Sequence, residues 1–190
     1  DCMAQDYGNP SSTHSLGRHA KSILELSRKS IAKALNATAQ EILFTSGGTE
    51  ANNWILRSAV KDLKVRRIIS SKMEHHAVLY PILELQKEFD IQVEYVENSA
   101  DGVLDLTHLV DLLSESTEKT LVSLMHVNNE TGVVLDLERV SQICQEHHAL
   151  FHSDTVQSVG KAILDLQKVP IDFIVSSAHK FHGPKGVGFA

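Results

Sequence analysis

Thr120-Leu121-Val122-Ser123-Leu124-Met125, then Leu137-Glu138-Arg139-Val140-Ser141-Gln142-Ile143-Cys144, then Ala149-Leu150-Phe151-His152-Ser153 decide the fold. The outer runs are mostly apolar or small, as buried strands must be. The middle segment, helical from 137 to 147, places its apolar residues on one face. Strand, helix and strand in that order make the repeating unit of a parallel sheet.

Outward from this unit the alternation continues. On its amino side lie a helix over 106–113, the alternating strand Ile91-Gln92-Val93-Glu94-Tyr95-Val96, a helix over 77–88 and the strand Arg67-Ile68-Ile69-Ser70. Before these come a helix over 49–61, the short strand Glu41-Ile42-Leu43-Phe44-Thr45 and a first helix over 15–36. On the carboxyl side lies Phe173-Ile174-Val175-Ser176. The expected architecture is α/β in three layers, a mainly parallel sheet with helices on both faces. No repeat, low-complexity tract or Pro/Gly/Ser linker intervenes, so residues 1–190 read as one continuous domain. Functional groups of such sheets gather at the carboxyl ends of the strands. Every motif below falls at one.

Hydrophobic content of 42% and charged content of 22% are those of a soluble globular chain. A net charge of −6 disfavours nucleic acid and anionic membranes as partners. No apolar run approaches spanning length, and the opening residues are not a signal peptide. Cys2 and Cys144 are too few and too distant for a disulfide framework, which favours a reducing compartment. Cys144 lies in a helical pattern and reads as a buried structural thiol. The 11 histidines show no zinc-site spacing, so no metal is expected. The chain opens without methionine and ends on what reads as a strand just begun, Gly186-Val187-Gly188-Phe189-Ala190, and is expected to be incomplete.

Thr45-Ser46-Gly47-Gly48-Thr49-Glu50 is a strand end, a glycine pair and a helix start. It reads either as a phosphate cradle built on helix N–H groups or as a capped helix after a tight turn. Glu74-His75-His76 places a histidine to lie over an aromatic ring, or merely at a half-wet helix start. In His126-Val127-Asn128-Asn129-Glu130-Thr131-Gly132 an asparagine is placed to donate to a phenolate-like oxygen, or to shape a turn. Asp154 ends a buried strand, where an unpaired carboxylate is costly. A cationic ligand would resolve that cost, with Gln157 three residues on; an Asp-capped helix is the competing reading. Finally, Phe173-Ile174-Val175 delivers Lys180 into a turn of small, hydroxylated and imidazole residues, as a Schiff-base lysine requires. A phosphorylated, aromatic, protonatable carbonyl compound matches all five segments. Pyridoxal 5′-phosphate is such a compound.

These segments resemble the cysteine desulfurase branch of the class V, fold-type I aminotransferase family. The resemblance is carried by Tyr7-Gly8-Asn9-Pro10-Ser11-Ser12 with His14, by residues 45–53, Glu74-His75, 126–132 and 154–161, and by 176–188. It implies a pyridoxal-phosphate-binding large domain over 1–190, with a small carboxyl-terminal domain beyond. It implies that Gly48 and Thr49 bind phosphate, supported by Ser177 and His179, and that His75 stacks on the ring. Asn129 would contact the ring hydroxyl, Asp154 the ring nitrogen, and Gln157 would face the ring. Lys180 would hold the cofactor covalently, and Lys180 and His75 would be catalytic.

The implied reaction converts L-cysteine to L-alanine, leaving persulfide sulfur on an enzyme cysteine. The implied partners are a second copy in a homodimer and a sulfur acceptor such as an iron–sulfur scaffold, in the cytoplasm or, in a eukaryote, the mitochondrial matrix. Two features depart from the family pattern. Thr155 replaces a frequent alanine, and the loop cysteine, the carboxylate-binding arginine and a partner-subunit phosphate residue are expected beyond Ala190. Selenocysteine lyase, another class V lyase or transaminase, and a non-catalytic binding fragment are the alternatives.

Overall fold

The computed structural model describes residues 8–190; Cys2 and Tyr7 lie outside the described residues. The chain forms two compact units, one of residues through Leu43 with Leu164–Gln167, the other of Phe44–Ile163 with Lys168–Ala190.

In the first unit the helix α1, Ser15–Leu35, begins at His14, whose side chain accepts from the Gly17 N–H. It ends at Asn36 in the left-handed region (φ 55°), where the Asn36 and Ala37 amides bond the last-turn carbonyls of Lys33 and Ala32. The strand expected over 41–45 is mostly absent. Ala39–Glu41 form a 3₁₀ turn closed by a capping box between Thr38 and Glu41. That side-chain capture holds the backbone in a turn, and pairing begins only at Phe44.

The second unit holds a seven-stranded sheet: β1 (Phe44–Thr45), β2 (Arg67–Ser70), β3 (Gln92–Tyr95), β4 (Thr120–Ser123), β5 (Leu150–Asp154), β6 (Phe173–Ser177) and β7 (Gly188–Phe189). Their order is β1-β7-β6-β5-β4-β2-β3. β3, β2, β4, β5 and β6 run parallel, while β7 is antiparallel to both β6 and β1. The crossovers are the helices α3 (His76–Phe89), α4 (Leu106–Ser114) and α5 (Leu137–Glu146); α2 (Gly48–Lys61) follows β1.

From β2 the chain steps outward to β3, then returns to the other side of β2 as β4. The strand order therefore reverses between β2 and β4, and ligands of such sheets bind outside the carboxyl ends at that point. Right-handed crossovers put α3 and α4 on opposite faces.

The core is aliphatic. Leu56, Val65, Ile68, Val78, Ile82, Leu85 and Leu121 are fully buried between α2, α3 and strands β2 and β4. α2 turns one side inward through Gly48, Ala51, Asn52, Ile55, Leu56, Ala59 and Val60, the three–four spacing of a helix stripe. Asn52 alone breaks that apolar stripe. α2 also meets the turn after β5 closely: a Cβ at Gly48 would come within 2.7 Å of Val156 Cγ2. Among the described residues no helix is long and apolar enough to cross a membrane.

Candidate active site

At the carboxyl edge of the sheet lies a cleft of about 460 Å³, within the range of small-ligand sites. Gly48, Thr49, His75, Asn129, Asp154, Gln157, Ser177, His179 and Lys180 all line it. Segments far apart in sequence thus converge because each follows a strand of one parallel sheet.

Asp154, the last residue of β5, is buried at 6% exposure. Its Oδ1 accepts from the Val156 N–H at 3.0 Å and its Oδ2 from Asn52 Nδ2 at 2.8 Å. Both donors are neutral. Burial raises its pKa, and the two hydrogen bonds and the charge of His75 only partly oppose that rise. A desolvated carboxylate with neutral donors and an open cleft beside it is arranged to receive a cationic N–H.

Across the cleft, β6 ends at Ser177 and a 3₁₀ turn, Ala178–Lys180, presents His179 and Lys180. Ser177 Oγ and His179 Nδ1 are 2.9 Å apart. Lys180 is exposed to the cleft rather than desolvated, because the turn carries it past the end of the sheet. His75 caps α3, its Nδ1 accepting from the Ala77 N–H, which leaves Nε2 to carry the ring proton. Gln157 is half-buried and Asn129 exposed. α2 begins at the cleft with Gly48 and Thr49, where first-turn N–H groups lack helical partners. Glu50 Oε2 already takes the Ser46 N–H at 2.6 Å. Thr155 is accommodated by donating its hydroxyl to the Val175 carbonyl at 2.7 Å.

Four further groups belong to the site. Asn52 fixes Asp154; its place in the apolar stripe of α2 was the readable signal. Glu50, Met125 and Lys185 also line the cleft, and nothing in the periodicity marks them. Cys144 is buried, its thiol pushed up to about 12 by burial and by Asp172, so it is no nucleophile. No cluster of metal-binding side chains occurs among the described residues.

The Aminotransferase class-V family model matches residues 2–190, and the chain belongs to that family. It is similar to the cysteine desulfurase IscS of Pseudoalteromonas translucida (strain TAC 125), at 40% identity over 192 residues, covering 98% of this chain and 47% of that protein. Among solved structures it resembles a NifS-like protein (39% identity, TM-score 0.92, covering 99% of this chain and 52% of that one). It also resembles SspA in complex with cysteine (32%, TM-score 0.89, 99% and 54%). The chain spans about half the length of the curated relatives it matches. Class V aminotransferases and cysteine desulfurases depend on pyridoxal 5′-phosphate, and the residues present fit it: a buried acid with neutral donors, a helix amino terminus and a lysine share one cleft.

Proposed function

We propose that the whole protein is a pyridoxal-phosphate-dependent cysteine desulfurase that takes sulfur from L-cysteine and releases L-alanine. One observation carries this reading: Asp154, buried and held by two neutral donors, shares the cleft with Lys180.

Asp154 would hold the ring nitrogen, Lys180 the aldehyde carbon, and the first turn of α2 with Ser177 and His179 the phosphate. His75 would lie against the ring, with Asn129 at its hydroxyl and Gln157 facing it. When bound, the cofactor supplies an electron sink for charge developing at the substrate α-carbon. The residues do the rest. Asp154 keeps the ring-nitrogen proton in place, since its desolvated carboxylate gains most from a hydrogen-bonded cation. Lys180 takes and returns the α-proton at Nζ. His75, with Nδ1 committed to the Ala77 amide, offers Nε2 as the proton-moving atom. Asn52 orients Asp154 without adding charge.

A homodimer, a protein sulfur acceptor of the iron–sulfur assembly type and a cytoplasmic setting complete the proposal. Cys144 is buried and weakly acidic and is not assigned the persulfide; following the family resemblance, that role goes to a loop cysteine in the part of the protein beyond Ala190. The test is alanine and sulfide release from L-cysteine by the full-length protein with pyridoxal phosphate and a thiol reductant. Equal amounts of both are expected; neither product, with folded protein and bound cofactor, would overturn it.

A further inference from the structure

The loops after β2 and β4 flank the point where the strand order reverses, and they carry His75 and Asn129 to the cleft. Two contacts tie them together, and a third, between Asn128 and Met125, braces the second loop internally. Glu74 Oε1 accepts from the Met125 N–H at 2.8 Å. Asn128 Nδ2 donates to the Met73 carbonyl at 2.9 Å and lies 3.4 Å from Met125 Sδ. Asn128 also shapes its own loop, its Oδ1 accepting from the Glu130 and Thr131 amides at 2.9 Å each. Met125, held by Glu74, lines the cleft on one side and an apolar cavity of about 160 Å³ on the other.

We propose that Glu74 is a positioning residue of the cofactor site: its carboxyl clamps the loop bearing His75 to the loop bearing Asn129, so both are set over one cleft. The inference rests on the function proposed above. Nothing in backbone pairing does this job, because β2 and β4 pair only over Arg67–Thr120, Ile68–Leu121 and Ile69–Val122, short of both loops.

Burial favours the protonated, uncharged form of the Glu74 carboxyl. Glu74 is 5% exposed and its Oε2 has no hydrogen-bond partner among the described protein groups. Burial raises its pKa well above the usual carboxylate range, the Met125 N–H opposes this, and the charge of Asp154 reinforces it. The titratable groups around it are Asp154 and His75 toward the cleft, His126 after Met125, and Asp136 on the wall of the second cavity. None forms a salt bridge with it. A neutral Glu74 leaves Asp154 as the carboxylate facing the ring. Two ionised carboxylates buried so near each other would oppose one another.

The test compares Glu74→Gln with Glu74→Ala in the full-length protein. Gln keeps an acceptor for Met125 and is uncharged; Ala removes the clamp. Pyridoxal-phosphate affinity should fall about tenfold in Glu74→Ala, as the loops bearing His75 and Asn129 lose their pre-organisation, and stay within about twofold in Glu74→Gln. The absorption of bound cofactor should change its pH dependence in Glu74→Ala but keep the wild-type profile below neutral pH in Glu74→Gln. In cofactor-free protein, exchange of the Met125 amide hydrogen should accelerate in Glu74→Ala alone. If Glu74→Ala does not fold, Glu74→Asp, whose shorter arm withdraws from Met125, carries the same expectations. Unchanged affinity, absorption profile and exchange in Ala or Asp overturns the clamp; Gln as damaging as Ala overturns its uncharged state. If wild-type protein fails to bind cofactor, the functional proposal falls, while the Met125 exchange still judges the clamp.

Discussion

The middle of the sheet and the carboxyl ends of its parallel strands are built on opposite rules. Toward α2 and α3, the middle of the sheet is a closed aliphatic core, with Leu56, Ile68, Val78, Ile82, Leu85 and Leu121 all at 0% exposure. At the carboxyl ends the buried groups are polar: Ser123, His152, Ser153, Asp154 and Ser176, with Asn52 and Glu74 beside them. Several of their atoms lack a protein hydrogen-bond partner, among them Asn52 Oδ1, Glu74 Oε2, His152 Nε2, Ser153 Oγ and Ser176 Oγ. Leaving such groups desolvated costs stability. The core supplies that stability, and the carboxyl edge uses it to keep polar groups dry and directed. Substitutions should therefore separate folding from ligand chemistry.

The largest expected effect is on the chemistry side. Lys180→Ala in the full-length protein should abolish the yellow, borohydride-reducible product formed with pyridoxal phosphate. Its urea midpoint should match wild type, since the side chain is exposed. A midpoint loss comparable to a core truncation would erase the contrast between the two regions.

Next is the core itself. Leu121→Ala, which empties a fully buried site on β4 between β2 and β5, should cost about 3 kcal/mol in urea unfolding, with covalent cofactor attachment retained wherever the protein is folded. A cost under about 1 kcal/mol would mean that the core is not where stability resides.

The third effect is pH dependence. His152 is fully buried, its Nδ1 2.9 Å from Ser123 Oγ, and burial lowers its pKa from 6.5 to about 3. Its contribution to stability is present above the unfolded value and is lost as pH falls toward the folded one. Between pH 7 and pH 5 that loss is about 2 kcal/mol. Glu74 and Asp154 act with the opposite sign: their folded pKa values are raised, so they favour folding at acid pH and lose that contribution as pH rises. Urea unfolding of wild type and His152→Gln at both pH values isolates the histidine. Parallel slopes would contradict a buried neutral imidazole.

A small effect on folding, with a large one on binding, belongs to Asp154→Asn. Asn52 can turn its unpartnered Oδ1 toward the new amide. Cofactor-free stability at pH 7 should hold or rise by up to about 1 kcal/mol, while pyridoxal-phosphate affinity falls by about tenfold or more. Destabilisation with unchanged affinity would reassign Asp154 to the fold.

Much of this was legible in the chain. The strands from β2 to β6 and helices α2 to α5 lie within a residue or two of where periodicity puts them, because strands buried on both faces leave uninterrupted apolar runs. The short strand after α1 was not legible at full length. The Thr38–Glu41 capping box, a local side-chain contact, outweighed the apolar Ile42-Leu43-Phe44 run. Each predicted cleft residue lies at or after the carboxyl end of a strand, which is why the segments were readable from sequence order, while the family resemblance supplied the individual residues and their roles. The residues that hold them were harder to see. Asn52 is readable only once its neighbours are known to face the core, and Glu74 sits beside a histidine that attracts the reading first. Lys185 carries no local mark and reaches the cleft only because β7 folds back beside β6.

Lys180 and Lys185 both line the cleft, so the site of covalent attachment is the sharpest discriminator. Full-length protein treated with pyridoxal phosphate, reduced with borohydride and digested should carry the pyridoxyl group on the peptide containing Lys180, at that residue. Modification at Lys185 with Lys180 unlabelled, or none in folded protein, would contradict the site described for this chain.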